Sequence, residues 1–165
     1  MSSEIVFEKV TTPEQIEKLC KVAEEIWHQH FTAIIGAEQV EYMLEKFQSV
    51  KAVTEQIKGG YEYFMFRLDG EIIGYTGIHQ EQDNRLFLSK LYIRKAYRGN
   101  GYARKVLNML EEICHERGLE AIWLTVNRFN NNTIKAYDKM GFRTIEEKKA
   151  DIGNGFFMDD YIMSK

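Results

Sequence analysis

Arg98-Gly99-Asn100-Gly101-Tyr102-Ala103-Arg104 is a segment whose residue types and spacing could do chemistry. It follows an apolar, strand-like run that ends at Ile93. It opens a stretch in which Ala103, Val106, Leu107, Leu110, Ile113 and Cys114 recur at helical spacing. Small residues let a backbone pass close to a ligand, and the first N–H groups of a helix have no partner inside it. Such an end attracts anions, phosphates above all. The plain alternative is a glycine-rich turn that merely starts a surface helix. A P-loop would need Gly-x-x-x-x-Gly-Lys-Ser/Thr, and the chain has no such run. A dinucleotide fingerprint would need a third small residue where Arg104 stands.

The segment does fit Arg/Gln-x-x-Gly-x-Gly/Ala, through Arg98, Gly101 and Ala103. Further along, the apolar, β-prone run Ala121-Ile122-Trp123-Leu124-Thr125-Val126 is followed by Asn130, then Tyr137, then Gly141-Phe142. Together these motifs resemble the GNAT superfamily of N-acetyltransferases, and the motif-bearing likeness runs over roughly residues 86–142. The fold this implies is α+β: a mixed, mostly antiparallel central sheet, splayed between two parallel strands and flanked by helices on both faces.

The resemblance also implies a chemistry. Acetyl-CoA would be the cosubstrate, with no metal. Its pantetheine arm would lie in the splay like an added strand, against backbone groups of Leu91, Tyr92 and Ile93. One N–H there would face the thioester oxygen. The pyrophosphate would rest on the amides of Arg98, Gly99, Asn100, Gly101, Tyr102, Ala103 and Arg104, and Asn130 would bond the arm from the opposite side. Tyr137 would be the catalytic acid that protonates the leaving sulfur, since a phenol is protonated at neutral pH and can donate. The competing reading is that Tyr137 simply packs its ring in the core.

A general base is harder to place. Histone-acetylating relatives carry a glutamate on the strand before the cofactor loop, and the matching position here is Phe87. His28, His30, His79 and Glu81 are the side chains that could accept a proton in its stead, with water as the other route. The family likeness places Trp27, His28 and Phe31, with Asp159 and Asp160, beside the acceptor cleft. The acceptor expected is a small amine or polyamine. The alternatives are a peptide or protein N-terminus or lysine, and a non-catalytic module that only binds acyl-CoA.

The elements that must position these residues can be read in order. Ile5-Val6-Phe7 makes a short strand. Thr12-Pro13-Glu14-Gln15 is a capping box with a first-turn proline, opening a helix that buries Ile16, Leu19, Cys20, Ala23, Ile26 and Trp27. A second helix spans about 37–48 and a shorter one ends near Gly59-Gly60. Strands follow at 61–68, 71–80 and 85–93, the first two joined by the hairpin signal Asp69-Gly70. A closing hairpin, 142–150 with 156–163, turns around Gly153-Asn154-Gly155.

Bulk properties bound the rest. At 165 residues with 44% hydrophobic content, the chain is expected to form a single domain over 1–165. A net charge of −3 gives no general attraction to nucleic acid or an anionic membrane, and no apolar run approaches bilayer length. The N-terminus lacks the layout of a signal peptide, and Cys20 and Cys114 read as free thiols, so the expected setting is cytoplasmic. A homodimer is left open.

Overall fold

The computed structural model describes residues 4–165. Seven strands form one sheet: β1 (Val6–Lys9), β2 (Tyr61–Leu68), β3 (Glu71–Gln80), β4 (Arg85–Ile93), β5 (Ala121–Asn127), β6 (Arg143–Gly153) and β7 (Phe156–Ser164). Their order is β1-β2-β3-β4-β5-β7-β6, and β4–β5 is the one parallel pair among them. This is the mixed, splayed sheet expected. Asp69 and Gly70 both take positive φ in the β2–β3 turn, and Asn154 and Gly155 do the same between β6 and β7. Those dihedrals match the right-handed twist of the strands they join.

Helices cover both faces. α1 (Pro13–Ile35), α2 (Ala37–Gln48) and α3 (Val50–Lys58) lie on one, and α4 (Tyr102–Arg117) and α5 (Asn131–Lys139) on the other. The capping box that opens α1 is formed on both sides: Gln15 N–H donates to Thr12 Oγ1, and Thr12 N–H to Gln15 Oε1. Under α4 and α5 the core is almost wholly apolar, built on Leu86, Leu88, Val106, Leu107, Leu110 and Phe142. Under α1–α3 it holds Leu19, Ile26 and Val40 together with Trp27, Tyr63 and Tyr75. Cys20 is half-buried rather than buried, as are Ala103 and Ile113. The outer strand β6 is largely exposed and carries Glu146, Glu147, Lys148 and Lys149, charges that discourage pairing with another sheet.

One irregularity matters most for the site. On β3, Gly77 and Ile78 are adjacent, but their partners on β4 are Lys90 and Leu88. Ser89 is therefore an extra residue, a bulge that bends β4 and adds twist. Because side chains alternate along a strand, the extra residue also swaps faces. Leu86 and Leu88 point to the α4–α5 core, whereas beyond the bulge Tyr92 joins the α1–α3 side.

Candidate active site

Pairing between β4 and β5 stops at Leu88–Leu124, just where the bulge begins. Beyond it, Leu91, Tyr92 and Ile93 still pair with β3, while Thr125, Val126 and Asn127 pair with β7. The edges that face each other across the gap have lost their strand partner, the condition for receiving an extended ligand as an added strand. A cavity of about 690 Å³ follows this gap, from the start of α4 to the underside of α1 and α2.

At one end stands the glycine loop. Gly99 and Gly101 have φ of +82° and +78°, which other residues adopt with strain. A Cβ on either would meet nothing within 4 Å, so the space above the loop is open. Gly101 is the N-cap of α4 and offers no side chain to cap it. Among the described residues, none of the N–H groups from Gly99 to Arg104 finds a backbone or side-chain acceptor outside α4. A pyrophosphate fits such an end by both geometry and charge. The Arg98 guanidinium turns under the loop, its Nε donating to Ile93 O at 2.8 Å. Asn100 and Arg104 spend their side chains elsewhere: Asn100 Nδ2 bonds Tyr97 O, and Arg104 reaches toward Lys139 O. Both therefore offer the loop their backbone N–H alone.

Tyr137 projects from α5 into the middle of the cavity with 7% of its surface exposed. Its ring meets Phe142 edge-on at 5.3 Å, and its hydroxyl bonds no other described residue. Burial pushes its pKa up, so it stays a protonated phenol. Asn130 also lines the cavity, but its Nδ2 lies 2.8 Å from His30 Nε2 on α1. That bond spans the gap and leaves the His30 ring proton on Nδ1. Burial, then the charge of Arg98, pull the His30 pKa down, so the ring is neutral.

The remaining proton acceptors named from sequence divide. His28 pairs with Glu41 at 2.5 Å, and His79 joins Glu81 and Gly59 O at the end of α3; none of the three side chains lines the cavity. Phe87 does line it, stacked on Trp123 at 4.3 Å. Trp27 and Phe31 form its wall with Tyr92, ring to ring at 5.3 and 5.9 Å. Alternation along β7 separates the two acids. Asp159 turns out to Arg128, whereas Asp160 turns inward with 7% of its surface exposed. Burial, and then the nearby charge of Asp159, push the Asp160 carboxyl up to about 6, with Lys148 opposing.

The family model described as "Acetyltransferase (GNAT) family" matches residues 20–142. The chain belongs to this acetyltransferase family. An uncharacterised N-acetyltransferase of Mycobacterium bovis is 31% identical over 97 residues, covering 59% of this chain and 62% of that protein. The chain thus matches less than two thirds of the length of that relative. The spermidine N(1)-acetyltransferase of Thermoplasma acidophilum is 25% identical over 143 residues, 84% of this chain and 88% of its own. Among solved structures, the PaiA N-acetyltransferase of the same organism, in complex with coenzyme A, superposes with a TM-score of 0.79 at 25% identity, covering 100% of this chain and 99% of that one.

Against that GNAT background, one charged cavity residue escaped the sequence reading altogether. Lys90 lines the cavity on β4, and the signal for it was a lysine within a mostly apolar strand. Among the described residues, no group of three or more His, Cys, Asp or Glu side chains is placed to hold a metal, and no helix is long and apolar enough to cross a membrane.

Proposed function

We propose that the protein is an N-acetyltransferase, one domain that moves the acetyl group of acetyl-CoA to a small primary amine by direct attack in a ternary complex. The observation that carries this reading is the convergence of the unpaired β4 edge, the free amides of the glycine loop and the Tyr137 hydroxyl on a single cavity. The pyrophosphate rests on the loop amides, and the pantetheine arm bonds Leu91, Tyr92 and Ile93. Asn130 contributes from the other wall, either to the arm or through His30.

Asp160 is the general base in this reading. Among the described residues it is the one carboxylate on the cavity wall, and a value near 6 leaves it ionised at neutral pH. It takes a proton from the acceptor ammonium. The free amine nitrogen then attacks the thioester carbon, and a backbone N–H beyond the bulge faces the oxygen that gains charge. The C–S bond breaks, Tyr137 gives its proton to the sulfur, and the second proton leaving nitrogen restores the phenol.

A small acceptor is favoured by the way the β6–β7 hairpin closes on α2. Tyr42 Oη donates to Ile152 O at 2.7 Å, Lys46 Nζ to the same oxygen at 2.5 Å, and Gln39 Nε2 to Phe157 O at 2.8 Å. These bonds wall the acceptor end, where a folded protein substrate would need an open groove. The polyamine reading has the Thermoplasma relative in its favour and the cavity's single acid against it. Cys20 and Cys114, free thiols on opposite faces of the sheet, support a reducing, cytoplasmic setting. The test is release of CoA thiol from acetyl-CoA across a panel of amino acids, monoamines, polyamines and peptides. Turnover confined to peptides, or none with a protein that binds acetyl-CoA, overturns the small-amine reading.

A further inference from the structure

Tyr63 on β2, Gly77 on β3 and Lys90 on β4 stand side by side across the sheet. Gly77 leaves the middle of this row empty, since a Cβ there would come within 2.9 Å of the Tyr63 ring. The ring lies over that space, and Lys90 Nζ reaches across it to Tyr63 Oη at 3.2 Å, 5.5 Å from the ring centre. The Ser89 bulge sets the face: without the extra residue, Lys90 would point into the apolar core under α4.

The Tyr63 hydroxyl is a link in a longer chain. Trp27 Nε1 donates to Tyr75 Oη at 2.9 Å, Tyr75 to Gln48 Oε1 at 2.7 Å, and Gln48 Nε2 to Tyr63 Oη at 3.4 Å. Tyr63 in turn donates to Gln56. Every member is neutral except Lys90. Among the described residues Lys90 forms no ion pair, and Tyr63 takes one of the three hydrogens an ammonium can donate. Burial pushes its pKa down to about 7. A half-buried cation held this way costs stability unless something anionic joins it.

Among the described residues, four charged or titratable side chains other than tyrosine line the cavity: Arg98 at the cofactor loop, His30 bound to Asn130, and Asp160 and Lys90 toward the acceptor. The last two do not pair with each other. An acceptor with two or more ammonium groups would meet one carboxylate and one repelling cation. An amine that also carries a carboxylate would satisfy both, and its single charge matches a single lysine.

We infer that Lys90 is a specificity-determining residue that binds a carboxylate on the acceptor, so that the amine transferred to is that of an amino acid or amino-carboxylate. This rests on the acetyltransferase reading and narrows it. The acceptor's apolar body lies against Trp27, Phe31 and Tyr61, its amine toward Asp160 and its carboxylate at Lys90 Nζ.

The experiment compares kcat/KM in two matched series with acetyl-CoA saturating: phenylalanine against phenethylamine, and 5-aminopentanoate against pentylamine and cadaverine. The carboxylate-bearing member should lead by at least 10-fold in one series. Lys90→Gln should erase that lead, and Lys90→Glu should turn it toward cadaverine. Acetyl-CoA affinity, measured by titration calorimetry on each variant, should stay within a few-fold of the parent's. Equal or better turnover of the amine that lacks a carboxylate in both series overturns the inference. So does a preference that survives in Lys90→Gln, or no turnover of any member by a protein that binds acetyl-CoA. Failure of the unsubstituted protein to bind acetyl-CoA at all is a different result, and it removes the acetyltransferase reading itself.

Discussion

The two faces of the sheet are built on different plans. Beneath α4 and α5, Leu, Ile and Val dominate and Tyr137 is the one buried tyrosine. Beneath α1–α3, Trp27, Tyr63, Tyr75 and Gln48 run a polar chain through the core, and Lys90 and Asp160 stand at its margin. Under the proposed reading, the difference follows what each half would recognise. A cofactor's phosphates and amides can be read by backbone N–H and C=O groups, so the surrounding side chains are free to pack. An acceptor must be told from other amines, and that takes side chains with charge, each at a cost in stability.

If backbone reading is right for the cofactor half, the largest effect comes from closing its backbone. Gly101→Val puts a β-branched residue at φ +78° in the open space of the loop. The expected outcome is loss of the acetyl-CoA-induced rise in melting temperature and of nearly all turnover. A thermal shift that persists would show the loop is not the phosphate site.

Next comes Tyr137→Phe, which removes one hydroxyl from the apolar half. Acetyl-CoA binding and folding should survive, while kcat falls by about 100-fold, the scale of a positioned acid. Steady-state kinetics with unchanged turnover would return Tyr137 to the role of a packed ring.

Asp160→Asn probes the costly half. Turnover should fall by roughly 10- to 100-fold. The parent's rate should climb through pH of about 6 and level above it, as the carboxylate forms. The variant's rate should instead keep climbing toward about 9 with the free-base fraction of the amine. The sign for stability runs the other way. A carboxyl raised in the folded state holds its proton longer than the unfolded chain does, so stability falls as pH rises from the ordinary 3.8 through about 6. At pH 7 the variant should therefore melt higher, by roughly 2–4 °C per kcal/mol recovered. A lower melting temperature would mean Asp160 is a structural anchor.

The smallest effect expected is that of Lys90→Met on stability. A lysine pushed down to about 7 binds fewer protons folded than unfolded between there and 10.5, so its cost is full below pH 7 and fades above. The variant should gain a few degrees at pH 6.5 and less at pH 9.5, followed by calorimetry. Arg94, paired to Glu25 through both carboxylate oxygens at 2.6 and 2.8 Å, should show no such gain when replaced.

By itself the sequence determined whatever is written locally. Arg98 to Arg104 announces a helix start with free amides, because glycine dihedrals and capping depend on neighbours in the chain. The same holds for Thr12–Gln15, for Asp69-Gly70, and for the spacing of Asn130, Tyr137 and Gly141-Phe142. Tertiary structure alone decided which charged side chains face the cavity. Asp159 and Asp160 are equivalent on paper, and the pairing of β7 with β5 turned one outward to Arg128 and the other into the cavity. Nothing local places Lys90 in the cavity: the extra residue at Ser89 reverses its face, and the empty place at Gly77 lets it reach Tyr63. A strand has a period of two, so one bulge or one register step moves a residue from core to site, and that step is fixed by pairing with strands distant in sequence.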